Sequence, residues 1–115
     1  MREFVEAFKA LSDETRMRIL KLLLERECCV CEVMQALDIS QSRASRNLGI
    51  LQRAGFIKAK RDGLWVAYSI DEKGMADYSE ALVEVLRDSL NQDETISLDR
   101  ERLKRAVRVG PGCET

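Results

Sequence analysis

A mainly α domain with one small β-hairpin is predicted by three observations. Apolar residues recur at helical spacing through most of the chain. Asp62-Gly63 stands between two β-prone runs, FIKAKR (56–61) and LWVAYSI (64–70), a strong short-range hairpin signal. A short helical segment and a longer one are separated only by Asp38-Ile39-Ser40, the spacing of a helix-turn-helix. With 115 residues, 45% of them apolar and 34% charged, the chain suits one helix-rich globular domain.

Residues 2–11 place Phe4, Val5, Phe8 and Leu11 on one stripe of an amphipathic helix. Ser12 and Asp13 then supply helix-starting side chains. The segment 13–25 (DETRMRILKLLLE) is apolar over much of its circumference, which predicts a central helix. Residues 30–37 (VCEVMQAL) make a short third helix. Ser40 is a suitable N-cap for a fourth over about 41–54, stopped by Gly55. Ala36, Leu37, Ile39, Ala44, Leu48 and Leu51 are expected in the core between the third and fourth helices. That leaves Gln41, Ser42, Arg43, Ser45, Arg46 and Asn47 at the front of the fourth helix, where base-reading side chains sit. The hairpin carries Lys58, Lys60 and Arg61 and reads as a basic wing beside the helix-turn-helix.

A long fifth helix is expected over about 73–91, with Met75, Tyr78, Leu82, Val85 and Leu86 on one stripe. A short helix over 99–107 follows. The domain is expected to span 1–107, with 108–115 as a flexible tail. The order is α-α-α-α-β-β-α, a winged helix-turn-helix. Apolar stripes on the first and fifth helices exceed what one small core covers, and this predicts a homodimer.

Charge sharpens the functional reading. Residues 41–61 hold six Lys or Arg and no acid, so a +6 segment sits inside a chain of net charge −1. Clustered cations of this kind steer and hold a polyanion through counterion release. The chain has no His, which excludes imidazole-based catalysis and imidazole metal sites, and no Gly-rich phosphate loop. An enzyme is therefore not expected. Apolar runs are far shorter than the roughly 20 residues needed to span a bilayer. The start lacks the pattern of a secretory signal, so cytoplasmic residence is the expected default.

Four cysteines remain: Cys28, Cys29 and Cys31 crowd into four positions, and Cys113 lies near the end. In a reducing compartment such a cluster signals metal binding or redox sensing rather than a disulfide framework. Soft thiolates select thiophilic ions and disfavour magnesium, calcium and manganese. Three sulfurs suit arsenite or antimonite, whereas cadmium, lead or zinc usually take a fourth ligand. On a regular helix Cys29 and Cys31 would lie about 200° apart, while Cys28 and Cys31 share a face. Gathering the three sulfurs on one ion thus requires the start of the third helix to be irregular or to unwind. A thiol-redox or persulfide sensor using Cys28 or Cys29 with Cys113 is the nearest alternative. A small thiol oxidoreductase is disfavoured because no βαβ pattern surrounds the Cys28–Cys31 spacing, and a pure protein-interaction module remains a further alternative.

The segments ALSDETRMRILKLL (10–23), CVCEV (29–33), ISQSRASRNLGILQRAGFI (39–57) and RDGLWVAYSI (61–70), in this order, resemble the ArsR/SmtB family of winged-helix metal-responsive repressors. Among its members the arsenic-responsive ones are most similar. The resemblance implies a homodimer that binds an inverted-repeat operator in double-stranded DNA and leaves it when an inducer, As(III) or Sb(III), binds cysteine thiolates. Cys29 and Cys31 match the family's ligand positions. The third falls at Met34, whose thioether is a weak substitute, and Cys28 or Cys113 is expected to take its place. The zinc site of some relatives on the fifth helix needs His and is excluded in that form.

Overall fold

A computed structural model describes residues 1–110. Six helices and one hairpin follow in the order α1 (Arg2–Leu11), α2 (Glu14–Glu25), α3 (Val30–Leu37), α4 (Gln41–Arg53), β1 (Ile57–Asp62), β2 (Trp65–Ile70), α5 (Asp77–Arg87) and α6 (Glu94–Arg105). The predicted winged helix-turn-helix is present, with one more helix than the predicted order counts.

Local signals explain most boundaries. The Asp13 carboxylate accepts from the Arg16 N–H at 3.0 Å and starts α2; the Ser40 hydroxyl accepts from the Arg43 N–H at 3.2 Å and starts α4. Asp38 closes α3 in the left-handed region, φ 56°, and turns the chain into α4. α2 is the central helix and packs against α1, α3, α4, α5, α6 and β2. Its Ile19, Leu20, Leu22 and Leu23 pack with Val33, Ala36, Leu37, Ala44, Leu48, Leu51 and Phe56 in the main core. Ile39, expected in that core, is only partly buried.

β1 and β2 pair antiparallel from Ile57↔Ile70 to Asp62↔Trp65. The turn is therefore Gly63-Leu64, one residue later than Asp62-Gly63. Gly63 takes φ +64° at the first central position, as a type II′ turn requires.

Two helices differ from expectation. α5 is shorter than 73–91, because Asp71 closes a turn by accepting from Gly74 and Met75 before the helix begins. Leu90, at φ 64°, lies beyond its end. α6 begins five residues before the expected 99, at an Asp93 cap whose carboxylate accepts from the Thr95 N–H. Its buried face contains Ile96 and Leu103 but also Asp99, which receives two bonds of 2.8 Å from the Arg18 guanidinium. A carboxylate in the apolar stripe hides the helical period. Among the described residues no helix is long and apolar enough to cross a membrane.

Candidate functional site

The front of α4 is largely as its sequence suggests. Gln41, Ser42, Arg43, Ser45 and Arg46 are exposed, while Ala44, Leu48 and Leu51 anchor the opposite face. Asn47 departs from the expectation. It is buried, its amide oxygen accepts from the Arg16 guanidinium at 3.0 Å, and its amide nitrogen donates to the Arg43 carbonyl at 2.9 Å. Its hydrogen bonds tie α4 to α2 rather than face outward. Arg43 is also tethered, donating to the Thr15 hydroxyl at 2.9 Å. Lys58, Lys60 and Arg61 are exposed along β1, so the basic wing and the polar front of α4 are both open to a partner.

The cysteines divide. Cys28 is fully buried in the main core and sits in a β-bridge with Tyr68, two backbone bonds of 3.0 and 2.8 Å. Cys29 is the extended N-cap of α3, and Cys31 lies in the first helical turn. Because α3 begins at Val30, the angular separation on a regular helix does not apply. The Cys29 and Cys31 sulfurs approach to 3.0 Å and form a small second cluster with Trp65. The irregular start that sulfur capture requires is already built in. Cys28 and Cys29 are free thiols, whereas Cys31 is disulfide-bonded in this structure. Cys113 lies outside the described residues.

Burial drives the Cys28 thiol up to about 12 and raises that of Cys29 as well. Both are protonated at neutral pH, so an ion must displace protons to bind them. Glu32, absent from the expected site, braces the pair. Its carboxylate accepts from the Cys29 N–H at 2.9 Å, from Arg26 at 3.1 Å and from Arg108 at 3.4 Å. Burial alone would raise its pKa; the Cys29 amide and Arg26 outweigh that and hold it below the usual carboxylate range. The tail expected from residue 108 begins with an anchored side chain, for Arg108 also bonds Asp62 at 2.8 Å. The Glu at position 32, three residues after Cys29, is the capping-box spacing that could have revealed this brace.

With Cys31 reduced, the donor set would suit a thiophilic ion, since the Cys29 and Cys31 sulfurs converge. A third does not: among the described residues no three Cys, Asp or Glu side chains form a metal-holding group.

Residues 13–59 match the family described as bacterial regulatory protein, arsR family. An uncharacterised HTH-type transcriptional regulator of Methanocaldococcus jannaschii is 46% identical over 66 residues, covering 56% of this chain and 74% of the relative. The chain belongs to the arsR family. The arsenical resistance operon repressor of Escherichia coli is 43% identical over 67 residues, 57% of either chain. A homologue of the cadmium resistance regulatory protein in Staphylococcus aureus is 40% identical over 72 residues, 62% of this chain and 60% of the relative. The match thus spans less than two thirds of either resistance regulator. The solution structure of a homodimeric winged helix-turn-helix DNA-binding domain from Mycobacterium bovis, a possible ArsR-family regulator, superposes with a TM-score of 0.66. It is 25% identical, with 81% of this chain and 82% of that one covered. Membership makes this chain a transcriptional regulator with a DNA-binding winged helix and not an enzyme.

Proposed function

We propose that this regulator is a homodimeric repressor whose hold on an inverted-repeat operator is released when arsenite or antimonite binds its cysteine thiolates. The observation that carries the reading is the 3.0 Å approach of the Cys29 and Cys31 sulfurs at the start of α3. In the reduced protein these two sulfurs would grip the ion, with Cys28 or Cys113 as the third. Gln41, Ser42, Arg43, Ser45 and Arg46 would face the major groove, and Lys58, Lys60 and Arg61 the phosphates or the minor groove. The dimer would form across α1 and α5. There Phe4, Val5, Phe8 and Val85 are 43–64% exposed, and a groove of about 450 Å³ is lined by Phe8, Leu11, Met17, Leu82, Val85 and Leu86.

A second reading has its own observation. Cys31 is disulfide-bonded in this structure, which favours oxidation of the same cluster as the alternative trigger for operator release. Cadmium, lead or zinc would need a fourth ligand. A release titration on the reduced protein with arsenite, antimonite, cadmium, lead, zinc and peroxide in parallel separates these. Release by arsenite and antimonite at the lowest concentrations supports the metalloid reading. Release by peroxide alone replaces it with the redox one.

A further inference from the structure

The start of α3 meets the wing at three places. Cys28 is bridged to Tyr68 of β2 by two backbone hydrogen bonds. Trp65, the first residue of β2, packs on Cys29 and Cys31. Arg108 completes the joint from the segment after α6: its guanidinium lies 5.6 Å from the centre of the Trp65 ring, bonds Asp62 at 2.8 Å and reaches Glu32 at 3.4 Å. Asp62 and Trp65 flank the turn of the wing. One cation therefore ties the tip of the wing to the carboxylate that braces the sulfur pair. Its own position is fixed by a reciprocal pair one residue earlier, the Gln35 amide donating to the Val107 carbonyl at 2.6 Å and accepting from the Val107 N–H at 3.1 Å.

The reading face of α4 is fastened elsewhere. Arg43 and Asn47 are held by α2, and α3 joins α4 at its far end, past Leu37. An occupant of the Cys29–Cys31 pair meets Trp65 before it meets anything in α4. Trp65 is also poorly secured, for its indole N–H is buried with no acceptor among the described residues. Packing and the cation over its face hold it in place, and packing is what a ligand on the two sulfurs changes.

We propose that Trp65 and Arg108 are the joint through which the sulfur pair controls operator affinity: an occupant displaces Trp65, Arg108 lets go of Asp62, and the basic wing loses its position against α3. Arg108 is a positioning residue in this scheme. The inference rests on the reading of Cys29 and Cys31 as the inducer site. It predicts that release runs through the wing, with α4 left in register.

The test compares the reduced native chain with Arg108→Gln and Arg108→Lys. Operator affinity is measured by anisotropy with and without arsenite, and arsenite binding by the emission of Trp65, the single tryptophan. Arsenite should weaken operator binding by the native chain about tenfold or more, a usual size for coupled sites. In R108Q the ratio should fall to about threefold or less while arsenite still binds; R108K should recover most of it. A native ratio in R108Q with arsenite bound would overturn the joint and leave the inducer site standing. Should R108Q not fold, the native emission decides. Operator release with Trp65 emission unchanged excludes the joint, and a shift that saturates together with release supports it. A native chain that neither binds arsenite nor leaves the operator overturns the inducer site and the joint together.

Discussion

At Asn47 the amide spends its oxygen on Arg16 and a nitrogen on the Arg43 carbonyl, so this side chain holds α4 against α2. Its neighbour Arg46, one residue earlier, is exposed on the face that would meet the groove. The two positions should respond differently to truncation. Asn47→Ala removes a buried hydrogen-bonding pair and should lower stability by about 1–3 kcal/mol, read as a shift in the urea midpoint. Arg46→Ala should leave that midpoint within about 0.5 kcal/mol and weaken operator binding by at least about tenfold, roughly 1.4 kcal/mol. A pattern reversed between the two variants would contradict both assignments. Sequence patterning separated the polar front of α4 from its core face correctly, but it could not tell Asn47 from its exposed neighbours. The partner that buries it, Arg16, lies 31 residues away and belongs to another helix.

Two elements carry predictions of their own. The wing presents Lys58, Lys60 and Arg61 to solvent. If they meet phosphate, replacing Lys60 and Arg61 with Ala should flatten the dependence of log affinity on log salt by about 1–2. An unchanged slope would remove the wing from the DNA interface. α5 is held by a side chain that pattern reading treats as an interruption: Lys21, buried in α2, donates to the carbonyls of Leu86 and Ser89 at 2.9 and 2.7 Å and to the Asn91 amide oxygen at 2.8 Å. A cation at a helix C-terminus satisfies carbonyls that have no partner within the helix. Lys21→Met keeps the bulk and removes the donors, and it should cost about 1–3 kcal/mol in a denaturant melt. A neutral result would mean that water reaches those carbonyls.

The elements themselves show what could be read in advance. The helix-turn-helix and the caps at Asp13 and Ser40 follow from local residue choice and are where expected, as is the hairpin apart from the one-residue offset of its turn. α6 was expected only from residue 99, and its first turn was missed because Asp99 breaks the apolar stripe; that carboxylate is held opposite Arg18, 81 residues earlier. The sulfur geometry escaped for a similar reason. α3 starts at Val30 as expected, but spacing could not show the bridge from Cys28 to Tyr68, which draws Cys28 into the main core and away from the Cys29–Cys31 pair. Long-range pairing therefore divided a cluster that is contiguous in sequence.

At the scale of the whole molecule, the proposed dimer would cover the exposed apolar face on α1 and α5, and the T-shaped contact between Phe4 and Tyr78, ring centres 5.1 Å apart, joins α1 and the start of α5 in one continuous surface. Val85→Asp places a charge in that face, where Val85 is 64% exposed and takes no part in the chain's own core. Sedimentation should find the native chain dimeric and the variant shifted toward monomer, with helicity retained. An equally dimeric variant would move the interface elsewhere. On the proposed reading, the dimer face, the front of α4 and the sulfur pair would occupy three separate regions of a chain only 41 Å in its longest dimension. Under the proposed function, ligand and operator would compete only through the protein between them, and their linkage would be reciprocal: whatever arsenite did to operator affinity, the operator would do to arsenite affinity.

The most direct measurement is operator anisotropy of the reduced native chain beside Cys29→Ser and Cys31→Ser, each titrated with arsenite. All three should bind the operator alike before addition, and only the native chain should be released, with protons liberated as the buried thiols ionise. Release of both serine variants at the native arsenite concentration would contradict the account.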